Sequence, residues 1–246
     1  MDCPEFELLE SILYEPSNEN NEIYLHEHLL RLNNSATDLF DDKDYGLFKK
    51  YTKEEFAKRV RVKLNQYIDK KKLNKSIEPR IVELTVNKNG DIKITDHPYI
   101  PLLLEGLKIK LDTEPILSDD IFLNHKTTNR KVYDKARHRI GLDPIPTPGS
   151  DPIFDVLLFN KKNEITMCSF AYIAVEFIDK DGTSFWKTPP VECGLLKGVY
   201  RKMLLNNNKI IDEVITVEEI QQAQREGRKI KCFNSIYKEF IVELVL

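Results

Sequence analysis

Apolar positions change rhythm once within the first forty residues. From Phe6 to Glu15 the run FELLESILYE is apolar enough for a strand despite its glutamates, and the polar stretch SNENNE (Ser17 to Glu22) reads as a turn. Beyond it, Leu25, Leu29, Leu32, Ala36 and Leu39 recur at spacings of four, three, four and three. That pattern predicts an amphipathic helix with one buried stripe. The opposite face of the same helix carries His28, Arg31 and Ser35. A second helix is expected from Thr52, which forms a capping box with Glu55. IVELTV, NKNG and DIKIT then spell a hairpin with Asn89-Gly90 at its bend.

DTEPILSDD (Asp112 to Asp120) reads as a connector, and helical spacing begins again at Lys131. GLDPIPTPGSDP is a proline-rich loop. FDVLLFN, NKKNEI and TMCSFAYIAVEFI predict two strands around a turn, and DKDG a further turn. SFWKTPPVECGLL leads into a helix at GVYRKMLLNN. TVEEIQQAQREG is a capped helix, starting at Thr216 with Glu219 as its partner and stopped by Gly227. The end of the chain, KIKCFNSIYKEFIVELVL, is strand-like. Strands and helices mixed without a strict βαβ rhythm favour an α/β chain in two halves. The expected division is an N-terminal α/β domain (1–116), a linker (117–124) and a C-terminal domain (125–246).

Composition narrows the class. With 246 residues, 41% hydrophobic and 31% charged, the chain can bury a core under an ordinary polar surface. A formal net charge of −3 gives no global field toward nucleic acid. Residues 49–75 hold eleven Lys or Arg against three acids, which reads as a solvated helix face rather than a nucleic-acid patch. No apolar run approaches the ~20 residues of a spanning helix. MDCPEFELLE lacks the basic-then-apolar layout of a secretory signal, so a cytoplasmic location is expected. Cys3, Cys168, Cys193 and Cys232 are widely spaced, and the five histidines are scattered; neither suggests a metal site.

Candidate chemistry is sparse at first sight. The sequence contains no G-x-G-x-x-G, no Walker loop and no G-x-S-x-G. GLLKGVYR sets Gly194 and Gly198 around a helix start, where free N–H groups and a missing side chain could admit an anion. Arg31 could clamp a phosphate. Lys126, in HKTTNRKVYD, could be a reactive amine if desolvated or set beside cations such as Arg130 and Lys131. Each has a plainer alternative: an ordinary helix start, a surface arginine and a solvated lysine.

Taken in order, HLLRLNNSA, KTTNRKVYD, FDVLLFNKKNEIT, WKTPPVECGLLKGVYRKMLL and CFNSI resemble the class IV aminotransferase family over Phe6 to Ser235. The likeness is closest to its 4-amino-4-deoxychorismate lyases, in the fungal form with K-T-T-x-R-x-x-Y-D. The resemblance implies fold type IV of the pyridoxal-phosphate enzymes, the two-domain D-amino-acid aminotransferase-like α/β fold. Its N-terminal domain is small, and its larger C-terminal domain is rich in β structure. It also implies a homodimer acting on a small amino substrate, with pyridoxal 5′-phosphate as cofactor.

By the same resemblance Lys126 stands at the Schiff-base lysine, and Arg31 at the phosphate-binding arginine. Gly198, Val199 and Tyr200 stand at the helix start that holds the phosphate, Ser235 at a hydroxyl reaching it, and Ser11 beside the substrate. The expected activity is release of pyruvate to leave 4-aminobenzoate for folate synthesis. The alternatives are an amino-acid transaminase of the same fold or a cofactor-binding pseudoenzyme. Two positions depart from the family pattern: Met167 occupies the slot of the glutamate that contacts the pyridine nitrogen, and Tyr172 that of an asparagine. NSIYK also lacks the arginine and glycine of N-S-x-R-G. Whether Glu164, Glu176 or Glu192 takes over from the missing glutamate is left open.

Overall fold

Eleven strands and six α-helices form among the described residues of the computed structural model, which are 5–16, 18, 21–40, 47–101, 106–145 and 153–246. Cys3, half of the SNENNE turn and most of the proline-rich loop lie outside them.

Contacts divide the chain into two compact units, residues 1–100 with 125–129, and residues 101–124 with 130–246. This partition puts Lys126 in the first unit, whereas a division at 117–124 assigns it to the second.

In the first unit, β1 (Leu8–Tyr14) pairs antiparallel with β2 (Arg80–Val86), and β2 with β3 (Ile92–Pro98). The β2–β3 hairpin turns at Gly90, whose φ of +81° suits glycine. The Asn87 side chain fixes that turn by accepting from the amides of Asn89 and Asp91. On the other edge of β1, Thr127 bridges Leu8. The Leu9 amide donates to the Lys126 carbonyl and the Thr128 amide to that of Glu7, each at 2.9 Å. Residues 126–128 therefore act as a further strand of this sheet.

Helix α1 (Asn21–Phe40) buries Leu25, Leu29, Leu32 and Ala36 against Leu8 and Ile12 of β1. Helix α2 (Lys53–Lys71) adds Phe56, Val60, Leu64 and Ile68, and the expected Thr52–Glu55 capping box is present. One expectation for α1 is corrected. His28 and Ser35 are buried and the Arg31 side chain is only 10% exposed, so the polar stripe faces inward as well. It can do so because each of its members has a polar partner waiting.

The second unit is an eight-stranded sheet. Along the chain its elements are β4 (Lys108–Leu111), α3 (Ile121–Asn124), α4 (Lys131–Arg139), β5 (Ile153–Phe159), β6 (Ile165–Cys168), β7 (Tyr172–Ile178) and β8 (Ser184–Thr188). Then follow α5 (Val199–Asn206), β9 (Ile211–Asp212), α6 (Val217–Arg225), β10 (Ile230–Asn234) and β11 (Lys238–Val245). The sheet order is β6-β5-β4-β11-β10-β7-β8-β9. One cluster packs Leu157, Ile173 and Val175 under Ile220 and Ala223 of α6. Another packs Val156, Leu158, Met167, Tyr172 and Phe233 with Tyr133 of α4 and Leu204 of α5.

The run TMCSFAYIAVEFI proves to be two strands, interrupted at Ser169–Ala171. The buried Asp155 carboxylate forces the break. It accepts from the Ser169 amide (3.1 Å), the Ser169 hydroxyl (2.5 Å) and the Phe170 amide (2.9 Å), with Arg137 at 3.0 Å.

Candidate active site

Side chains alternate along a strand, so β1 sorts its residues by face. Leu8 and Glu10 point toward α1, while Leu9 and Ser11 point away. The Leu8–Thr127 bridge sets Thr127 opposite Leu8 and Lys126 opposite Leu9. The two residues expected at the substrate, Lys126 and Ser11, therefore lie on neighbouring segments of one sheet.

Arg31 lies on the α1 side of β1. Its guanidinium grips Glu10 with both ends of a fork, Nε to Oε1 at 2.9 Å and Nη2 to Oε2 at 2.5 Å. Nδ1 of His28 lies 2.7 Å from Glu10 Oε2. Burial alone would raise the Glu10 carboxyl, yet Arg31 and His28 outweigh it and hold the group down at about 2. His28 is shifted below its usual value by burial. Glu10 opposes that shift, while the positive charges of Arg31 and Lys126 add to it. A neutral imidazole donating from Nδ1 to Glu10 fits this environment. Further along α1, Ser35 Oγ lies 3.0 Å from Nδ1 of His125, the residue just before Lys126.

Glu10, His28 and His125 were absent from the sequence expectations for the site. A glutamate within a short strand reads as solvent-facing, and the signal that could have exposed it is its place on the Leu8–Ile12 face.

In the second unit, Gly198 is the N-cap of α5, and Val199 and Tyr200 are its first two residues. A Cβ on Gly198 would lie 2.3 Å from Cζ of Tyr172. The room left by this glycine is thus taken by a tyrosine ring, which stacks on Phe233 with centroids 5.6 Å apart. Close approach of an anion to the Cα, the reason advanced from sequence, is replaced at this atom by packing. Tyr200 donates its hydroxyl to Glu239 at 3.3 Å. Ser235 lies in the β10–β11 turn, its carbonyl accepting from Lys238 Nζ at 3.2 Å.

Met167 is 5% exposed, and its sulfur accepts a hydrogen bond from the Tyr133 hydroxyl at 3.7 Å. Burial pushes that phenol up to about 12, so it stays a proton donor. Two of the three candidate acids have hydrogen-bond partners of their own, and the third is exposed. Glu164 accepts from Asn160 Nδ2 (2.7 Å) and Cys193 Sγ (3.6 Å), Glu176 accepts from the Lys229 amide, and Glu192 is exposed. Arg130 lies with its guanidinium carbon 4.2 Å from the Phe170 ring centre and donates to the Ser169 carbonyl at 2.7 Å. Its role here is to clasp α4 to the β6–β7 turn. Among the described residues no group of acids, cysteines and histidines could hold a metal ion, and no helix is long and apolar enough to cross a membrane.

Comparison with known proteins agrees with this architecture. The sequence profile described as "Amino-transferase class IV" matches residues 7–225. A Schizosaccharomyces pombe protein named "Putative aminodeoxychorismate lyase" is 27% identical over 177 residues, 70% of this chain and 71% of that one. Among solved structures, a Mesorhizobium loti protein named "Putative amino-acid aminotransferase" superposes with a TM-score of 0.74. It is 23% identical, over 98% of this chain and 100% of that one. The PLP-bound form of "A hypothetical aminotransferase" from Mycobacterium tuberculosis gives 0.63 at 14% identity, covering 97% and 81%. With its profile matched over most of its length, the chain belongs to the class IV aminotransferase family.

Proposed function

We propose that this protein is a pyridoxal-phosphate-dependent lyase acting on a small amino substrate of the aminodeoxychorismate type. The observation that supports the reading is the backbone pairing of residues 126–128 with β1, which sets Lys126 on the segment beside the strand that bears Ser11. Membership of the family and likeness to the S. pombe protein support it.

Pyridoxal phosphate needs an amine for its aldehyde, donors or cations for its phosphate and a partner for its ring nitrogen. Taken unit by unit, the residues assigned by the resemblance have the chemistry for the first two needs: in the first unit the Lys126 amine for the aldehyde and the Arg31 guanidinium for the phosphate, in the second the α5 amides after Gly198 and the Ser235 hydroxyl for the phosphate. Met167 does not fit the third, since a thioether holds no proton for a ring nitrogen. When bound, the cofactor supplies an electrophilic carbon for a substrate amine and a conjugated ring that accepts electrons.

In this reading Lys126 Nζ takes the proton from the substrate carbon bearing the amine. Ser11 Oγ orients the substrate through a hydrogen bond. Glu10 and His28 hold Arg31 fixed, so the arginine enters the site already ordered. Met167 favours the lyase over a transaminase. Forming an aromatic product drives an elimination strongly, whereas transamination leans on a protonated ring nitrogen throughout.

The test begins with spectra. Protein mixed with pyridoxal phosphate develops an absorption band that Lys126→Ala abolishes; absence of the band rejects both enzyme readings. With the band present, pyruvate release from aminodeoxychorismate supports the lyase. Conversion of the cofactor to its amine form by amino acids, without pyruvate release, replaces the lyase with a transaminase. A band with neither turnover identifies a binding protein. We also propose a dimer of identical chains, for which light scattering should return twice the 28.8 kDa chain mass.

A further inference from the structure

We infer that His125 is a positioning residue for Lys126, its imidazole seated on α1 so that the segment bearing the amine keeps a fixed place along the helix face that carries Arg31. The inference rests on the reading of Lys126 as the cofactor's amine, and it adds a residue outside the string that begins at that lysine.

Edge pairing fixes only part of the segment's geometry. The Leu9 amide donates to the Lys126 carbonyl and the Thr128 amide to the Glu7 carbonyl, each at 2.9 Å. The Glu7 amide donates to Thr128 Oγ1 at 2.9 Å. These bonds run in the plane of the sheet and set which residue lies opposite which. The residue before Lys126 supplies support from another direction. His125 is buried, its Nδ1 3.0 Å from Ser35 Oγ and its Nε2 3.7 Å from an Asp38 carboxylate oxygen. With Nε2–H turned to the carboxylate, Nδ1 accepts from the Ser35 hydroxyl. A rigid ring held at both nitrogens, on a stem of two torsions, fixes the backbone that carries it.

The place of these contacts on α1 gives them their consequence. His28, Arg31, Ser35 and Asp38 succeed one another at spacings of three, four and three, so they form one stripe. Its first half holds Glu10, through His28 and the Arg31 fork. Its second half holds His125. The positive charge of Lys126 is felt at His28, so residues 125 and 126 reach both halves of the stripe. Ser35 and His28 lie ~10 Å apart along the helix. One helix face thus sets the distance between an amine and a guanidinium, the two groups that a phosphorylated aldehyde must reach together.

Two anchors held in register bind one ligand far better than either alone, and a slip between them loses that advantage while leaving each anchor intact. Titration with pyridoxal 5′-phosphate and with pyridoxal, which has no phosphate, reads the register. In His125→Ala the ratio of the two affinities should fall on the order of tenfold. His125→Asn, whose amide can still meet Ser35, should recover much of it. A merely structural loss lowers both affinities together and leaves the ratio unchanged. Ser35→Ala should reproduce part of the fall in the unaltered background and add nothing in His125→Ala. Without cofactor, amide exchange at Leu9 and Thr128 should quicken in His125→Ala while the amides between β2 and β3 keep their rates.

An unchanged affinity ratio in His125→Ala, or a Ser35→Ala effect that persists without His125, overturns the inference and leaves the cofactor reading standing. Absence of a Lys126-dependent band from the unaltered protein fails the cofactor reading instead. Exchange then decides the placement of the Lys126 segment by itself, and quickening at Leu9 and Thr128 supports it. Unchanged rates at these two amides overturn the inference in either case.

Discussion

Glu10 carries its charge where water is excluded, and the cost is offset by Arg31 on one side and His28 on the other. Glu10→Ala would leave the arginine buried without its carboxylate, a loss of about 3–5 kcal/mol by urea denaturation. Acid should act on the same cluster. The Glu10 carboxyl titrates at about 2 in the folded chain against 4.5 ordinarily, so the unfolded chain takes up the proton first. Its contribution, roughly 3 kcal/mol, is complete above pH 4.5 and is lost as pH falls toward 2. His28, also lowered, works in the same direction beginning at its ordinary value of 6.5. Urea midpoints between pH 8 and 3 should therefore fall more steeply below pH 4.5 in the unaltered protein than in Glu10→Gln. Parallel curves would remove Glu10 from the account. Lys126 and Arg31 were singled out from sequence because each sits in a recognisable string. Glu10 was not, because its meaning depends on a helix residue 21 positions away.

Among elements, those whose signals are local matched expectation. The capping boxes at Thr52 and Thr216 form as read, and Thr→Ala at either should cost about 1 kcal/mol in thermal unfolding. The break between β6 and β7 was not legible, since TMCSFAYIAVEFI is apolar throughout and the residue that interrupts it comes from β5. Asp155→Ala should cost about 3–5 kcal/mol, with amide exchange at Ser169 and Phe170 accelerating beyond that of the rest of β7. At the head of α5, Gly198→Ala drives a methyl into the Tyr172 ring and should cost about 1–3 kcal/mol. Part of that cost should disappear when Tyr172→Ala is combined with it, and simple additivity of the two changes would refute the contact.

For the molecule as a whole, the mixed α/β class and the two-part organisation could be read from sequence, but the membership of residues 125–129 could not. Strand pairing between residues over a hundred positions apart leaves no periodic trace in either partner. A fragment of residues 1–100 should expose the β1 edge, and the Leu9 amide should exchange quickly with solvent. Adding a peptide of residues 124–130 should protect that amide; no protection would mean the edge strand contributes nothing on its own. The borrowed strand also has a consequence for biosynthesis. Residues 1–100 leave the ribosome before the strand that completes their sheet, and at ~5–20 residues per second the wait lasts about 1.5–6 s. Throughout that interval the nascent chain carries an open row of β1 amides and carbonyls, a template on which a neighbouring chain can pair until Lys126 emerges.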